Sequence, residues 1–229
     1  MKPFPLLSAL SDDEKQLLWR RSHSLESSAG DYLIVGGDEP IKVFLLLDGL
    51  VKLVAYNQDG NQSIVGLAGA GDVVGLAGAL DGDWQPVDAI AIGRCTSIAV
   101  ETEQFLRVVL ANPVATDVLV RALARNVRWL YDTAMERSRS SGSERMAIRI
   151  LELAELAGQP SSNGIRIDPP VPQRDLAALA GMCRESANKT IGIFKRAGAI
   201  DYEGRTLRVL RPDVLKRFTC AGRGAEPFL

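Results

Sequence analysis

QRDLAALAGMCRESANKTIGIFKRA, residues 173–197, is the stretch whose reading decides the fold. Two short helical segments meet in it at Gly181. Leu176, Ala177, Leu179 and Ala180 give the first an apolar face, and Ala187, Ile191 and Phe194 give one to the second. A helix-turn-helix needs a small residue where the helices approach, a glycine able to take positive φ in the tight turn, and a small residue holding the second helix on the first. Ala177, Gly181 and Ala187 meet these needs at the matching spacing. The second helix then turns Arg184, Glu185, Asn188 and Lys189 outward. Arginine can bond bidentately to guanine O6 and N7, glutamate can accept from cytosine N4, asparagine can pair with adenine, and lysine can reach guanine or a phosphate. Ser186, Thr190 and the helix N-terminus add phosphate contacts. The plain alternative for such a face is solvation, so its surroundings have to decide.

Downstream, Ile200-Asp201-Tyr202, Glu203-Gly204-Arg205 and Thr206 to Leu210 read as a tight hairpin with Arg205 at its tip and Arg208 on its return strand, a wing beside the recognition helix. Charge agrees. The net charge of −1 conceals 8 Lys+Arg against 16 Asp+Glu over residues 1–120, a net of −8, and 19 against 12 over residues 121–229, a net of +7. A basic half suits a polyanion, and the acidic half must have a different task. Double-stranded DNA is the expected partner of the C-terminal half.

Upstream, Met146, Ile148, Ile150, Leu151, Leu153, Ala154 and Leu156 mark an apolar-rich helix, and PSSNG, Ile165-Arg166-Ile167 and DPPVP read as a loop holding one extended piece. RSRSSGS, ending at Ser143, has the composition of a hinge and sets a domain boundary at residue 138. Before it a long helix opens at Asn112-Pro113. Val120, Leu123, Val127, Leu130 and Ala134 alternate spacings of four and three along it, which is a coiled-coil seam. Leu119, Ala122 and Trp129 widen the stripe. It is broad enough both to pack on its own domain and to pair with a second copy, and a homodimer is expected.

From residue 32 to 100 the texture is short apolar runs: Tyr32 to Val35, Val43 to Leu47, Val51 to Tyr56, Ser63 to Leu67, Ala89 to Ile92 and Thr96 to Val100. Glycines punctuate them at turn-like intervals, the pattern of a small all-β barrel or roll, with Asp48-Gly49 and Asp59-Gly60 as hairpin turns. A short helix is expected over Glu101 to Leu110. The capping-box pattern Ser11…Glu14 starts an N-terminal helix running toward Ser22. His23, the single histidine, belongs to that helix or its surface. Cys95, Cys183 and Cys220 are scattered and read as plain thiols. No acid, base, nucleophile or metal-ligand constellation suggests an enzyme, and neither a signal peptide nor a membrane span is expected, which leaves the cytoplasm.

These parts together resemble the CRP/FNR family, named for the cyclic AMP receptor protein and the fumarate-nitrate reduction regulator. The likeness rests on Val43 through Lys52, Gly71-Asp72-Val73-Val74-Gly75, the long connecting helix, and Leu176-Ala177 through Arg184-Glu185-Ser186. It implies an α+β chain: an N-terminal cyclic-nucleotide-binding-like β-roll of jelly-roll type over residues 1–111, a dimerisation helix over 112–137, and a winged helix-turn-helix over 138–229. It also implies a transcription regulator reading a palindromic operator through Arg184 and Glu185, with RNA polymerase as a further partner. Lys189, preceded by Asn188, stands where the family commonly has an arginine one turn on.

The resemblance further places an effector pocket at Gly75, Leu76, Ala77, Gln85, Pro86, Val87, Leu130 and Tyr131. Leu76 stands where cyclic-AMP binders carry the glutamate that holds the ribose, Gln85-Pro86 where they carry the phosphate clamp, and Leu130 and Tyr131 where they place small hydroxyl residues. A phosphate buried without arginine forfeits charge-assisted bonds of about 1.5–3 kcal/mol each. Ordinary cyclic AMP binding is therefore not expected, and an apolar or uncharged ligand, or a closed pocket, is. The N-terminal cysteine cluster of iron-sulfur members is missing and His23 is a poor haem ligand, so no cofactor is expected. The rival reading is a small-molecule sensing module whose helix-turn-helix contacts protein rather than DNA.

Overall fold

The computed structural model describes residues 4–56 and 62–219, so Asp59-Gly60 and Cys220 lie outside the described residues. The chain forms two compact units, Met1–Trp129 and Leu130–Leu229.

The first unit opens with α1 (Pro5–Ser8) and α2 (Asp12–Trp19). Ser11 caps α2 with the expected box: its Oγ accepts from Glu14 N at 3.3 Å, and Glu14 Oε2 accepts from Ser11 N at 2.7 Å. That helix ends at Trp19, and His23 lies exposed on the strand that follows. Eight strands then build the roll: β1 (Ser22–Ser27), β2 (Tyr32–Ile34), β3 (Lys42–Asp48), β4 (Leu50–Tyr56), β5 (Gln62–Gly69), β6 (Val73–Val74), β7 (Asp88–Ala91) and β8 (Cys95–Glu101), with α3 (Leu76–Asp81) between β6 and β7. They form two antiparallel sheets ordered β1-β8-β3-β6 and β2-β7-β4-β5. Val43-Phe44-Leu45-Leu46 is a continuous apolar run because β3 is buried on both faces. Phe44 and Leu46 point between the sheets with Val51, Ala89 and Ala99, whereas Val43 and Leu45 point outward to Leu18, Leu76 and Phe105. α4 (Thr102–Ala111) and the first turns of α5 (Pro113–Arg139) complete that outer core through Val108, Val109, Ala115 and Leu119.

Asp48-Gly49 is not a hairpin turn. β3 and β4 belong to different sheets, and Gly49 carries the chain from one to the other at φ +92°. A Cβ there would stand 2.5 Å from the Arg94 carbonyl oxygen and 2.7 Å from Cys95 Cα. Gly49→Ala is therefore expected to destabilise the roll by about 3 kcal/mol or more, since backbone strain and overpacking act together. Chemical denaturation followed by circular dichroism checks this; an unchanged midpoint would contradict the close approach.

The second unit holds the C-terminal turns of α5, then α6 (Gly142–Ala157), β9 (Gly158–Ser161), β10 (Gly164–Ile167), α7 (Gln173–Leu179), α8 (Arg184–Arg196), β11 (Ile200–Glu203), β12 (Thr206–Val209) and α9 (Pro212–Thr219). Its sheet runs β11-β12-β10-β9, so the stretch read as a loop with one extended piece is a second hairpin. Pro160 fits there because β9 is an edge strand. The hinge-like RSRSSGS is mostly helical: α5 runs through Arg139, and Ser141 caps α6 by a capping box with Glu144. Glu136 and Thr133 on α5 bond the guanidinium of Arg149 on α6, which also pairs with Glu152 at 2.6 Å.

Candidate nucleic-acid interface and sensor groove

α7 and α8 meet as the spacing requires. Gly181 takes φ +60°, and Ala177 and Ala187 are both buried at the crossing with Leu176, Ile191 and Phe194. Arg145 of α6 clamps the turn by donating Nε–H to the Ala180 carbonyl at 2.8 Å and Nη1–H to the Ser140 carbonyl at 2.6 Å. Phe218 of α9 packs edge-on to Phe194, with centroids 4.8 Å apart. The recognition helix is thus held from behind.

Its outer face is free for a partner. Arg184, Glu185, Ser186, Asn188 and Lys189 are all exposed. Arg184 and Asn188 lie one turn apart, as do Glu185 and Lys189, giving two adjacent rows. Among the described residues, Arg184, Glu185, Asn188 and Lys189 have no intramolecular side-chain hydrogen bond or ion pair. Thr190 differs from expectation: it is buried against the core and cannot reach a phosphate. Its position three residues after Ala187 puts it on the packing face, a periodicity visible in the sequence. Cys183, the N-cap, donates its thiol to Ser186 Oγ at 3.2 Å, and the hydroxyl and amide of Ser186 hold that thiol below its ordinary pKa. Cys95, buried and near Asp48, is pushed up to about 11.

The wing closes by a two-residue turn, Glu203 pairing with Thr206, and Gly204 takes φ +59° at its first central position, as a type II′ turn requires. Arg205 stands exposed at the tip. Arg208 does not share that freedom: it pairs with Glu203 inside the wing. Lys195 at the end of α8 bonds Asp201 of β11 at 3.0 Å and so ties the recognition helix to the wing.

On α5, Val120, Val127 and Leu130 are 56%, 47% and 52% exposed, and Ala134 is exposed too. Leu123 is half-buried against the roll's outer core, beside Leu119. The stripe divides its work: Leu119 and Leu123 pack inward, and Val120, Val127, Leu130 and Ala134 are left exposed.

In the roll, Gly75 caps α3 at φ +92°, and Leu76 is buried in the outer core with Phe105 and Val109. Ala77 is exposed. Gln85 is buried, and its Nε2–H donates to the Gly75 carbonyl at 3.3 Å, while its backbone bonds Asp38 O and Gly37 N at 2.9 and 2.8 Å. Gly75 and Gln85 are thus brought together. Pro86 and Val87 line a different feature, a groove of about 610 Å³ with Tyr32, Val54, Tyr56 and Asp88. Asp88 Oδ1 accepts from Gly36 N at 2.7 Å. The Tyr56 phenol accepts from Gln62 Nε2 at 3.2 Å, and its neighbours Tyr32 and Asp88 push it up to about 12. Sequence reasoning missed Tyr32, Tyr56 and Asp88, although the alternation of β4 and β7 was readable. Leu130 and Tyr131 belong to the other unit and are exposed on α5.

Residues 25–112 match the cyclic nucleotide-binding domain, and residues 144–218 match the Crp-like helix-turn-helix domain. The chain belongs to the CRP/FNR family of transcription regulators. As a CRP/FNR protein it carries the helix-turn-helix DNA-binding domain at its C-terminal end. It is similar to the CRP-like cAMP-activated global transcriptional regulator of Mycobacterium tuberculosis, 22% identical over 200 residues, which cover 87% of this chain and 89% of the relative. It is also similar to the cyclic AMP receptor protein of Thermus thermophilus, 24% identical, covering 94% and 97%. FixK2 from Bradyrhizobium japonicum shares the fold, with a TM-score of 0.77 at 18% identity, covering 88% of this chain and 99% of that one. Among the described residues no helix of this CRP/FNR protein is long and apolar enough to cross a membrane.

Proposed function

We propose that this CRP/FNR protein is a cytoplasmic homodimer that reads a palindromic operator through Arg184, Glu185, Asn188 and Lys189, with Ser186 and Arg205 on the phosphate backbone. The observation that carries this is the exposed face of α8, whose four polar side chains have no partner among the described residues while the opposite face is buried. A helix held so rigidly has its base-reading groups oriented before DNA arrives. The uncovered stripe of α5 supports pairing with a second copy. Residues 120, 127 and 134 recur every seven positions with Leu130 between, the seam of a two-stranded coiled coil. Two recognition helices about 34 Å apart would then meet successive major grooves. The division into a sensory roll over 1–111, a dimer helix over 112–137 and a reading domain over 138–229 belongs to this proposal, as does contact with RNA polymerase.

Cyclic AMP does not fit the roll as effector. Gln85 spends its amide on Gly75, and Leu76 is turned into the core, so neither presents a group to a cyclic phosphate or its ribose. Val127→Asp tests the assembly. The site is exposed in one chain, so folding should persist, while facing carboxylates in the seam should leave a monomer at micromolar concentration. Sedimentation equilibrium reads the mass and a gel shift the operator affinity; a variant that stays dimeric and binds as before would refute the seam.

A further inference from the structure

The groove beside the clamp segment has the wrong polarity for a nucleotide. Among the described residues its side-chain polar groups are the carboxylate of Asp88 and the hydroxyls of Tyr32 and Tyr56, and no Lys, Arg or His lines it. Asp88 is 6% exposed. Among the described residues its carboxylate receives only the Gly36 amide and makes no ion pair. A buried carboxylate with one neutral donor retains unused acceptor positions, and burial without a counter-charge is costly. The walls are aromatic and aliphatic, Tyr32 and Tyr56 together with Val35, Val54 and Pro86. Phenol faces attract cations, and the acidic half of the chain, net −8 over residues 1–120, draws cations toward the roll.

We infer that the groove between Tyr32, Tyr56 and Asp88 is a binding site for a small organic cation, an ammonium or amidinium carried on an apolar body, and that this is the class of effector the roll senses. The inference rests on the reading of the roll as a sensor. Asp88 would supply the counter-charge, the phenols would flank the cationic head, and Val35, Val54 and Pro86 would take the apolar body. The volume of about 610 Å³ accommodates a molecule of drug-like size.

Benzamidine tests it on the full-length protein, because its planar amidinium can bond a carboxylate in two places; benzoate, with the same ring and the opposite charge, is the control. Calorimetry is expected to show benzamidine binding about ten-fold or more tightly than benzoate, a difference of about 1.4 kcal/mol. Asp88→Asn is expected to abolish the preference. Should that variant fail to fold, the aromatic proton resonances of Tyr32 and Tyr56 in the wild-type protein serve instead, and benzamidine should shift them. Equal or tighter binding of benzoate, a preference surviving in folded Asp88→Asn, or tyrosine resonances that do not respond would each overturn the inference. Operator binding, measured by gel shift on the ligand-free protein, reports separately on the proposed function, so either can fail alone.

Discussion

Arg184→Ala is expected, on the proposed dimeric reading, to cost about 30-fold to 10⁴-fold in operator affinity. Each bidentate arginine–guanine pair is worth about 1–3 kcal/mol of discrimination, and a palindrome loses two. The side chain is exposed and bonded to nothing among the described residues, so the variant should fold and melt like the parent. Fluorescence anisotropy at one fixed salt concentration, on operator and on scrambled duplex, makes the comparison. The operator should lose far more than the scrambled DNA, because non-specific affinity comes from phosphate contacts. Arg205 provides the contrast. A residue that touches only phosphate weakens both duplexes alike and flattens the salt dependence when removed. Undiminished operator binding by Arg184→Ala would mean that the exposed face of α8 is not the reading face.

The second large effect concerns stability. Arg149 is 2% exposed, and its guanidinium bonds Thr133 and Glu136 of α5 and Glu152 of α6. Removing one partner of a buried charge cluster is strongly destabilising, about 3–5 kcal/mol, because the remaining charges lose their compensation. Arg149→Ala should therefore lower the melting temperature of the second unit by more than ten degrees, at about 4–8 °C per kcal/mol for a domain of this size. The roll should melt unchanged. Replacing Arg149, Glu136 and Glu152 together by methionine should cost much less, since a buried ion cluster contributes little net stability over an apolar one. Calorimetry on the single and triple variants checks the ordering, and equal losses would contradict it.

The helix-turn-helix was legible because its constraints are local. Ala177, Gly181 and Ala187 must be small at fixed intervals, and nothing distant can alter that. The wing was legible for the same reason, through Gly204. The apolar stripe of α5 was visible as a period, though the period did not show that Leu123 would turn to its own roll. What stayed hidden depended on distant contacts. β1, reading SHSLES, shows little apolar alternation because most of it is exposed, and only its pairing with β8 makes it a strand. β9 carries a proline that argues against a strand until its place at the edge is known. Asp48-Gly49 has the composition of a hairpin turn, yet the sheets it joins are set by partners forty residues away. RSRSSGS looks loose, but the Arg149 cluster and the Ser141 cap extend helix almost through it. The groove was missed because Tyr32, Tyr56 and Asp88 come from three strands and none belongs to a motif.

α8 keeps two ledgers that do not mix: Ala187, Thr190, Ile191 and Phe194 answer to the interior, and Arg184, Glu185, Asn188 and Lys189 have no side-chain partner among the described residues. Substitution in the second group by residues other than glycine and proline meets little folding penalty, so on the proposed reading descendants of this chain can acquire new regulons by single codon changes without passing through unstable ancestors. A duplicated gene would diverge first in which promoters it visits and only much later in its architecture.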